Sequence, residues 1–175
     1  LYKGVYYTEL LQQMIHFVRI SEMESMADEI LRCAIVQRPV QSDPGYINYP
    51  IVTPYDTLLY TRFYDACQRY YGPFELLDNN FRMHAFLTDN KFSGGGHYHD
   101  HVSTATYNAA LYVFTVQGCG ISFVSDQFSE IYYEPNVGDM YIFESHVKHK
   151  AHPSFHQKRL SLNLEIRAKT PLHSS

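Results

Sequence analysis

The chain has no tryptophan, only three cysteines, and no run of lysine or arginine longer than two. Without a basic stretch, and with a net charge of -4 when histidine is neutral, it lacks the electrostatic footprint of a protein that binds a phosphate backbone. Nucleic acid is therefore not an expected partner. Cys33, Cys67 and Cys119 are odd in number and show no CxxC spacing. They read as free thiols in a reducing compartment, with a cytoplasmic setting expected. No apolar run approaches the eighteen or so residues that a membrane helix requires, so no membrane partner is expected either. The first residues, Leu1-Tyr2-Lys3-Gly4, lack the apolar core of a signal peptide.

What is present is globular in character. The 175 residues are 45% hydrophobic and 18% charged, which suits one domain with a real core and excludes disorder. Sixteen tyrosines and eleven phenylalanines can pack while the tyrosines still hydrogen-bond, so a half-polar interior is expected. Leu10, Leu11, Met14, Ile15, Phe17 and Val18 form a helical stripe carrying His16 as a partly exposed packing residue. Ser21-Glu22-Met23-Glu24 fits a capping box ahead of Met23, Met26, Ala27, Ile30 and Leu31. Residues 38–54, with Pro39, Pro44, Pro50 and Pro54, read as a long surface loop. Thr53-Pro54 then opens a helix through Leu59, Phe63, Ala66 and Tyr70, stopped at Gly72-Pro73.

From Phe81 the hydrophobic period changes from helical to two. Strands are predicted over 81–88, 97–102, 107–117, 120–125, 130–134, 139–144, 149–152 and 158–167. In the last, Arg159, Ser161 and Asn163 alternate with Leu160, Leu162 and Leu164. A sheet with its polar face inward and its greasy face under helices describes a small barrel around a wet site. The expected architecture is mainly β (α+β), a jelly roll with the N-terminal helices on its outer sheet. One domain spans 1–175, with helical support over 1–75 and a β core over 81–167.

Seven of the ten histidines fall between positions 97 and 156, in two clusters about fifty residues apart. Imidazoles gathered from distant segments point to a metal site assembled by folding. The second cluster sits in Gly138-Asp139-Met140-Tyr141-Ile142-Phe143-Glu144-Ser145-His146-Val147-Lys148-His149-Lys150-Ala151-His152-Pro153, followed by Arg159-Leu160-Ser161. This stretch resembles the iron(II)- and 2-oxoglutarate-dependent oxygenases, whose fold is a cupin-like double-stranded β-helix. Their pattern is a hydrophobic strand after Gly, a distal metal His, and about ten residues later an Arg in an R-x-S strand. His149, Arg159 and Ser161 occupy those places. The first cluster, Gly95-Gly96-His97-Tyr98-His99-Asp100-His101-Val102-Ser103, resembles the G-G-x-Y-x-x-H-x-D run of the prolyl-hydroxylase-like members, with Ser103 where the family has Asp.

The resemblance implies iron(II) on His101, His149 and a third group. It also implies 2-oxoglutarate with its far carboxylate on Arg159, aided by Ser161 and Tyr112, and O₂ as co-substrate. Hydroxylation of an unactivated C–H bond in a small molecule or peptide side chain is the implied reaction. The residues leave the third ligand open. His99 would complete a three-histidine set, Asp100 would supply a carboxylate, and Ser103 would leave the vacancy that halogenating relatives use for chloride. His97 shares a face with His99; His146, His152 and His156 read as loop or outward-facing groups. Tyr98, Tyr107 and Tyr112 are candidate pocket walls. Two other readings stand beside hydroxylation: a three-histidine cupin-type dioxygenase without 2-oxoglutarate, and a non-catalytic β-helix scaffold.

Overall fold

The computed structural model describes residues 2–40, 48–79, 81–88, 96–126, 129–154 and 157–169. Among them are three helices, α1 (Tyr2–Gln13), α2 (Met23–Val36) and α3 (Asp56–Tyr71). Nine strands accompany them: β1 (His16–Arg19), β2 (Asn48–Pro50), β3 (Arg82–Thr88), β4 (Tyr107–Phe114), β5 (Ile121–Val124), β6 (Glu130–Tyr133), β7 (Asp139–Glu144), β8 (Lys148–Ala151) and β9 (Arg159–Ile166). The large sheet runs β1-β7-β4-β9-β3-β2 and the small one β6-β5-β8, with all pairs antiparallel.

The alternation along β9 explains both layers of the core. Leu160, Leu162, Leu164 and Ile166 join Leu111, Met140 and Ile142 beneath α2 and α3, where Met23, Ile30, Leu59 and Phe63 are fully buried. Each such side chain contributes about 1.5–3 kcal/mol on leaving water. The opposite faces of β4 and β7 turn inward. Tyr112, Tyr141 and Phe143 meet Ile121 and Phe123 of the small sheet in a second cluster. Helices α2 and α3 lie on the outer sheet as the pattern predicts, whereas α1 sends Leu11 into the inner cluster.

Four local expectations are corrected. The stripe from Leu10 to Val18 is not one helix. It tightens at Met14 and Ile15, whose N–H groups bond Leu11 and Gln12 carbonyls, and His16–Arg19 becomes an edge strand on β7. The cause is tertiary: Arg19 pairs with Asp139 at 2.9 Å across that edge, and His16 stacks on Tyr70 at 4.0 Å. The Ser21 capping box does not form, because α2 begins at Met23 behind Glu22 with no side-chain cap. Within 38–54, Asn48–Pro50 is not loop but an edge strand on β3, anchored by buried Tyr49, whose hydroxyl donates to the Ala34 carbonyl. Proline is tolerated there because an edge strand leaves one N–H side unpaired. Pro44, in the same stretch, lies outside the described residues. Lastly, the predicted strand over 97–102 reduces to a single bridge, His99 to His149. Past it the chain turns over, with the Thr104 and Ala105 N–H groups bonded to the His101 carbonyl.

Helix α3 starts at Asp56, slightly later than predicted. Thr53 still works ahead of it: its hydroxyl accepts the Tyr55 N–H at 3.1 Å, while Asp56 accepts from the Thr53 N–H at 3.0 Å.

Candidate metal centre and its neighbouring arginine

His149 lies on β8, on the inner face of the small sheet, between the rings of Phe143 and Phe123. The bridge to His99 brings the first histidine cluster alongside: the N–H of each residue bonds the other's carbonyl, at 3.1 and 3.0 Å. With His99 fixed there, a spacing of two puts His101 on the same side. The ligand atoms of His99, His101 and His149 all lie within 4.8 Å of one another.

The second nitrogen of each ring decides what the first can do. His149 Nδ1 lies 3.2 Å from the Val147 carbonyl, His99 Nδ1 3.1 Å from the His97 carbonyl, and His101 Nδ1 2.9 Å from the Glu165 carboxylate. Each partner only accepts, so each neutral ring carries its proton on Nδ1 and leaves Nε2 as a lone pair. The Nε2 atoms of His101 and His149 then face each other at 3.1 Å. Two lone pairs at that distance repel unless a cation, or a second proton on His101, lies between them. Two nitrogens bound cis to one ion at about 2.1 Å each stand about 3 Å apart, so the pair fits a shared metal. Burial, then the neighbouring His99 and His101, pushes the His149 imidazole down to about 3, keeping it neutral and ready to ligate. Around Glu165, burial pushes the carboxyl upward, but hydrogen bonds from His101 and Asn163 and the charges of His101 and Arg82 outweigh it. The carboxyl is held below its usual value.

Arg159, the first residue of β9, is 1% exposed. Its Nη1 donates to the carbonyls of Cys119, at 3.1 Å, and His152. Its Cζ sits 5.1 Å from the centre of the Phe86 ring. Nε and Nη2, the edge that grips a carboxylate two-pronged, are buried with no partner among the described residues. Burial lowers the guanidinium pKa, and no carboxylate offsets it among the described residues. A buried cation with three of its five N–H donors idle is costly, so this edge asks for an anion.

The three histidines line a cavity of about 90 Å³ together with Phe86, Tyr112 and Ser161; Arg159 is not part of the lining and lies behind Phe86. Asn48 and Asn163 also reach the cavity. His149, His101, His99, Tyr112 and Ser161 thus share one cavity, and Arg159 reaches it only through the Phe86 ring.

Other candidates do not converge. Ser103 is exposed in a turn, because the chain reverses immediately after His101. Asp100 is turned back to accept the Val102 N–H at 3.3 Å. Neither belongs to the three-residue group, so the vacancy that motivated a halide site has no structural counterpart at Ser103. His97 is exposed, 6.2 Å from His99 by ring centres. His146 is exposed beside Glu144, while His152 is half-buried with Nε2 2.6 Å from the Ser122 hydroxyl. Tyr107 stacks on Tyr71, and Tyr98 lies against Lys150, away from the cavity lining. Gly94, Gly95 and His156 lie outside the described residues.

Glu165 is what the sequence reading missed. Its signal was available: the inward row Arg159, Ser161, Asn163 reaches Glu165 two residues further on.

No protein-family model matches the chain, and no curated protein matches it in sequence. Solved structures do. A prolyl-4-hydroxylase of Pseudomonas putida aligns at TM-score 0.66 and 16% identity, over 93% of this chain and 99% of that one. A prolyl hydroxylase from Trichoplax adhaerens, solved with a hypoxia inducible factor peptide fragment, aligns at TM-score 0.66 and 10% identity, over 95% and 91%. SnoN, a non-heme alpha ketoglutarate dependent epimerase of nogalamycin biosynthesis, aligns at 0.63 and 14%, over 93% and 81%. With its two antiparallel sheets, the chain has the double-stranded β-helix fold of these solved structures.

Proposed function

We propose that this protein is a non-haem iron(II)- and 2-oxoglutarate-dependent oxygenase with an all-histidine metal site. Two features of the β core carry the reading: the Nε2 atoms of His101 and His149, opposed at 3.1 Å as a shared cation would hold them, and a buried arginine edge without a partner among the described residues, which suits a carboxylate. Iron(II) would be held by His99, His101 and His149, and 2-oxoglutarate would place its far carboxylate on Arg159, with Ser161 and Tyr112 beside it. Together they supply O₂-driven hydroxylation of a C–H bond, coupled to conversion of 2-oxoglutarate to succinate and CO₂.

The chain's own task is positioning. The Nδ1 acceptors fix three rings, Phe143 and Phe123 wall His149 from water, and Phe86 holds the guanidinium plane. The substrate class we favour is a small molecule or a peptide side chain. The peptide-bound Trichoplax enzyme shows that a protein of this fold admits a peptide.

A second reading, a three-histidine dioxygenase without 2-oxoglutarate, is favoured by the lack of a carboxylate in the group of three. The arginine separates the two, since such an enzyme has no oxoacid to anchor there. Anaerobic titration with iron(II), then 2-oxoglutarate, tests the proposal. A weak charge-transfer band near ~500–530 nm is expected for the chelated oxoacid. Iron binding without the band would transfer the case to the second reading, and no iron binding would leave a scaffold.

A further inference from the structure

The common non-haem iron set is two histidines and one carboxylate, so three neutral imidazoles leave the ion one negative charge short. We infer that Glu165 supplies that charge from one bond further out, through His101. This inference rests on the three-histidine reading above.

Glu165 is 5% exposed on the inner face of β9. A carboxylate buried so deeply persists only when it is paired and hydrogen-bonded. Its Oε1 accepts from His101 Nδ1 at 2.9 Å, Asn163 Nδ2 at 3.1 Å and Thr104 Oγ1 at 3.4 Å. Its Oε2 lies 4.0 Å from Arg82 Nη1, a partly exposed partner on β3. The shortest of these contacts is to the ring whose other nitrogen faces His149. His99 and His149, by contrast, rest their Nδ1 atoms on neutral backbone carbonyls. Of the three rings, His101 alone is backed by a full charge. A carboxylate accepting the Nδ1 proton pushes electron density towards Nε2 and makes that nitrogen a stronger donor to a cation. Glu165 is thus a positioning and charge-compensating residue that never needs to touch the metal.

The test is a two-by-two comparison of metal affinity in the full chain. Iron(II) is titrated anaerobically, and cobalt(II) in air, against a competing chelator. Glu165→Gln keeps the shape but removes the charge, and should weaken binding about 10- to 100-fold. It should also raise the iron(III)/iron(II) potential, which a purely structural role would not move. In the His101→Asp background, which restores a carboxylate at the metal, Glu165 would face a second anion. There Glu165→Gln should strengthen binding or leave it unchanged.

Equal losses in both backgrounds, or unchanged affinity and potential in the single variant, would overturn the inference while leaving the three-histidine site standing. If the unaltered chain binds neither metal, the site itself falls, and the inference with it. Melting of the apo variants checks their folding. Should Glu165→Gln not fold, Glu165→Asp retains the charge but withdraws it from Nδ1. It is expected to lose affinity in the native background, and unchanged affinity would again refute the role.

Discussion

Replacing Arg159 with methionine should separate what the residue costs the empty protein from what it contributes to the loaded one. In the empty protein Arg159 is 1% exposed, and its Nε and Nη2 have no partner among the described residues. Each unsatisfied buried donor costs about 1–3 kcal/mol, and more where charge is involved. Methionine removes both donors, is nearly as long, and places a sulfur near the Phe86 ring that the guanidinium now covers. Against this stands the loss of the Nη1 bonds to the Cys119 and His152 carbonyls, about 1 kcal/mol each. The balance lies between neutral and a gain of a few kcal/mol. An ordinary truncation of a large buried side chain would instead lose about 2–5 kcal/mol.

The loaded protein should respond in the opposite direction. Losing one partner of a buried, hydrogen-bonded charge pair costs about 2–5 kcal/mol, so affinity for 2-oxoglutarate should fall between about 30-fold and several thousand-fold. Ligand at a hundred times its Kd stabilises the native chain by about 2.7 kcal/mol. For a domain of this size that is a rise in Tm of about 5–11 °C. At the same concentration Arg159→Met should keep at most about 1 kcal/mol of that, a rise of no more than about 3 °C. Arg159→Lys, which keeps the charge but not the two-pronged edge, should fall between the two. The assay is anaerobic thermal melting of the iron(II)-loaded chain with and without 2-oxoglutarate. A large drop in Tm for empty Arg159→Met would mean the arginine is a structural member of the core. An unchanged ligand shift would mean that its idle edge holds no cosubstrate.

His149→Ala should abolish iron(II) binding by equilibrium dialysis, and retained stoichiometric iron would sink the three-histidine site. Ser103→Asp, which installs the residue the family motif has at that place, should leave iron affinity unchanged because position 103 is exposed in a turn. Gly138 has φ +90°, and a Cβ there would lie 2.4 Å from the Ile20 carbonyl oxygen, so Gly138→Ala should cost about 2–4 kcal/mol in chemical denaturation. The pH dependence of the empty protein follows from His149, whose imidazole is pushed down to about 3. Below the ordinary histidine value of about 6.5 the unfolded chain takes up a proton there that the folded chain refuses, so stability falls as pH drops towards 3, by at most about 1.4 kcal/mol per pH unit. Above pH ~6.5 this residue contributes no slope, and His149→Gln should be correspondingly flatter in acid melts.

The β core was legible because its strands alternate cleanly. The stretch predicted over 139–144 is β7, and the row of leucines at 160, 162 and 164 faces the helices. The errors cluster where a neighbour overrides a local pattern. Phe17 and Val18 continue a helical stripe, yet the open edge of β7 recruits them into β1. Tyr49 sits between prolines, yet its burial beside Ala34 pulls the chain into an edge strand. No local pattern encodes the availability of a sheet edge, so β1 and β2 were out of reach.

The site divides along the same line. His149 and Arg159 are candidates from the sequence because the pattern they match is contiguous, and they fall on the consecutive strands β8 and β9. The proposed third ligand is not legible there, because His99, Asp100 and Ser103 all lie within two residues of His101, and only the bridge from His99 to His149 separates them. That one pairing also accounts for the chemistry. It puts two imidazoles at the position reached from β8, and the chain must then reverse to enter β4, which carries Ser103 outward. A carboxylate at 103 would therefore have nothing to bind. The acid available to this arrangement comes from β9, across the barrel, where the inward row that starts at Arg159 ends at Glu165. One strand thus carries the arginine at its start and the carboxylate behind His101 near its end. A one-residue slip of β9 would turn both to the greasy face beneath the helices, so on the proposed reading the register of this strand would set cosubstrate anchoring and metal charge together.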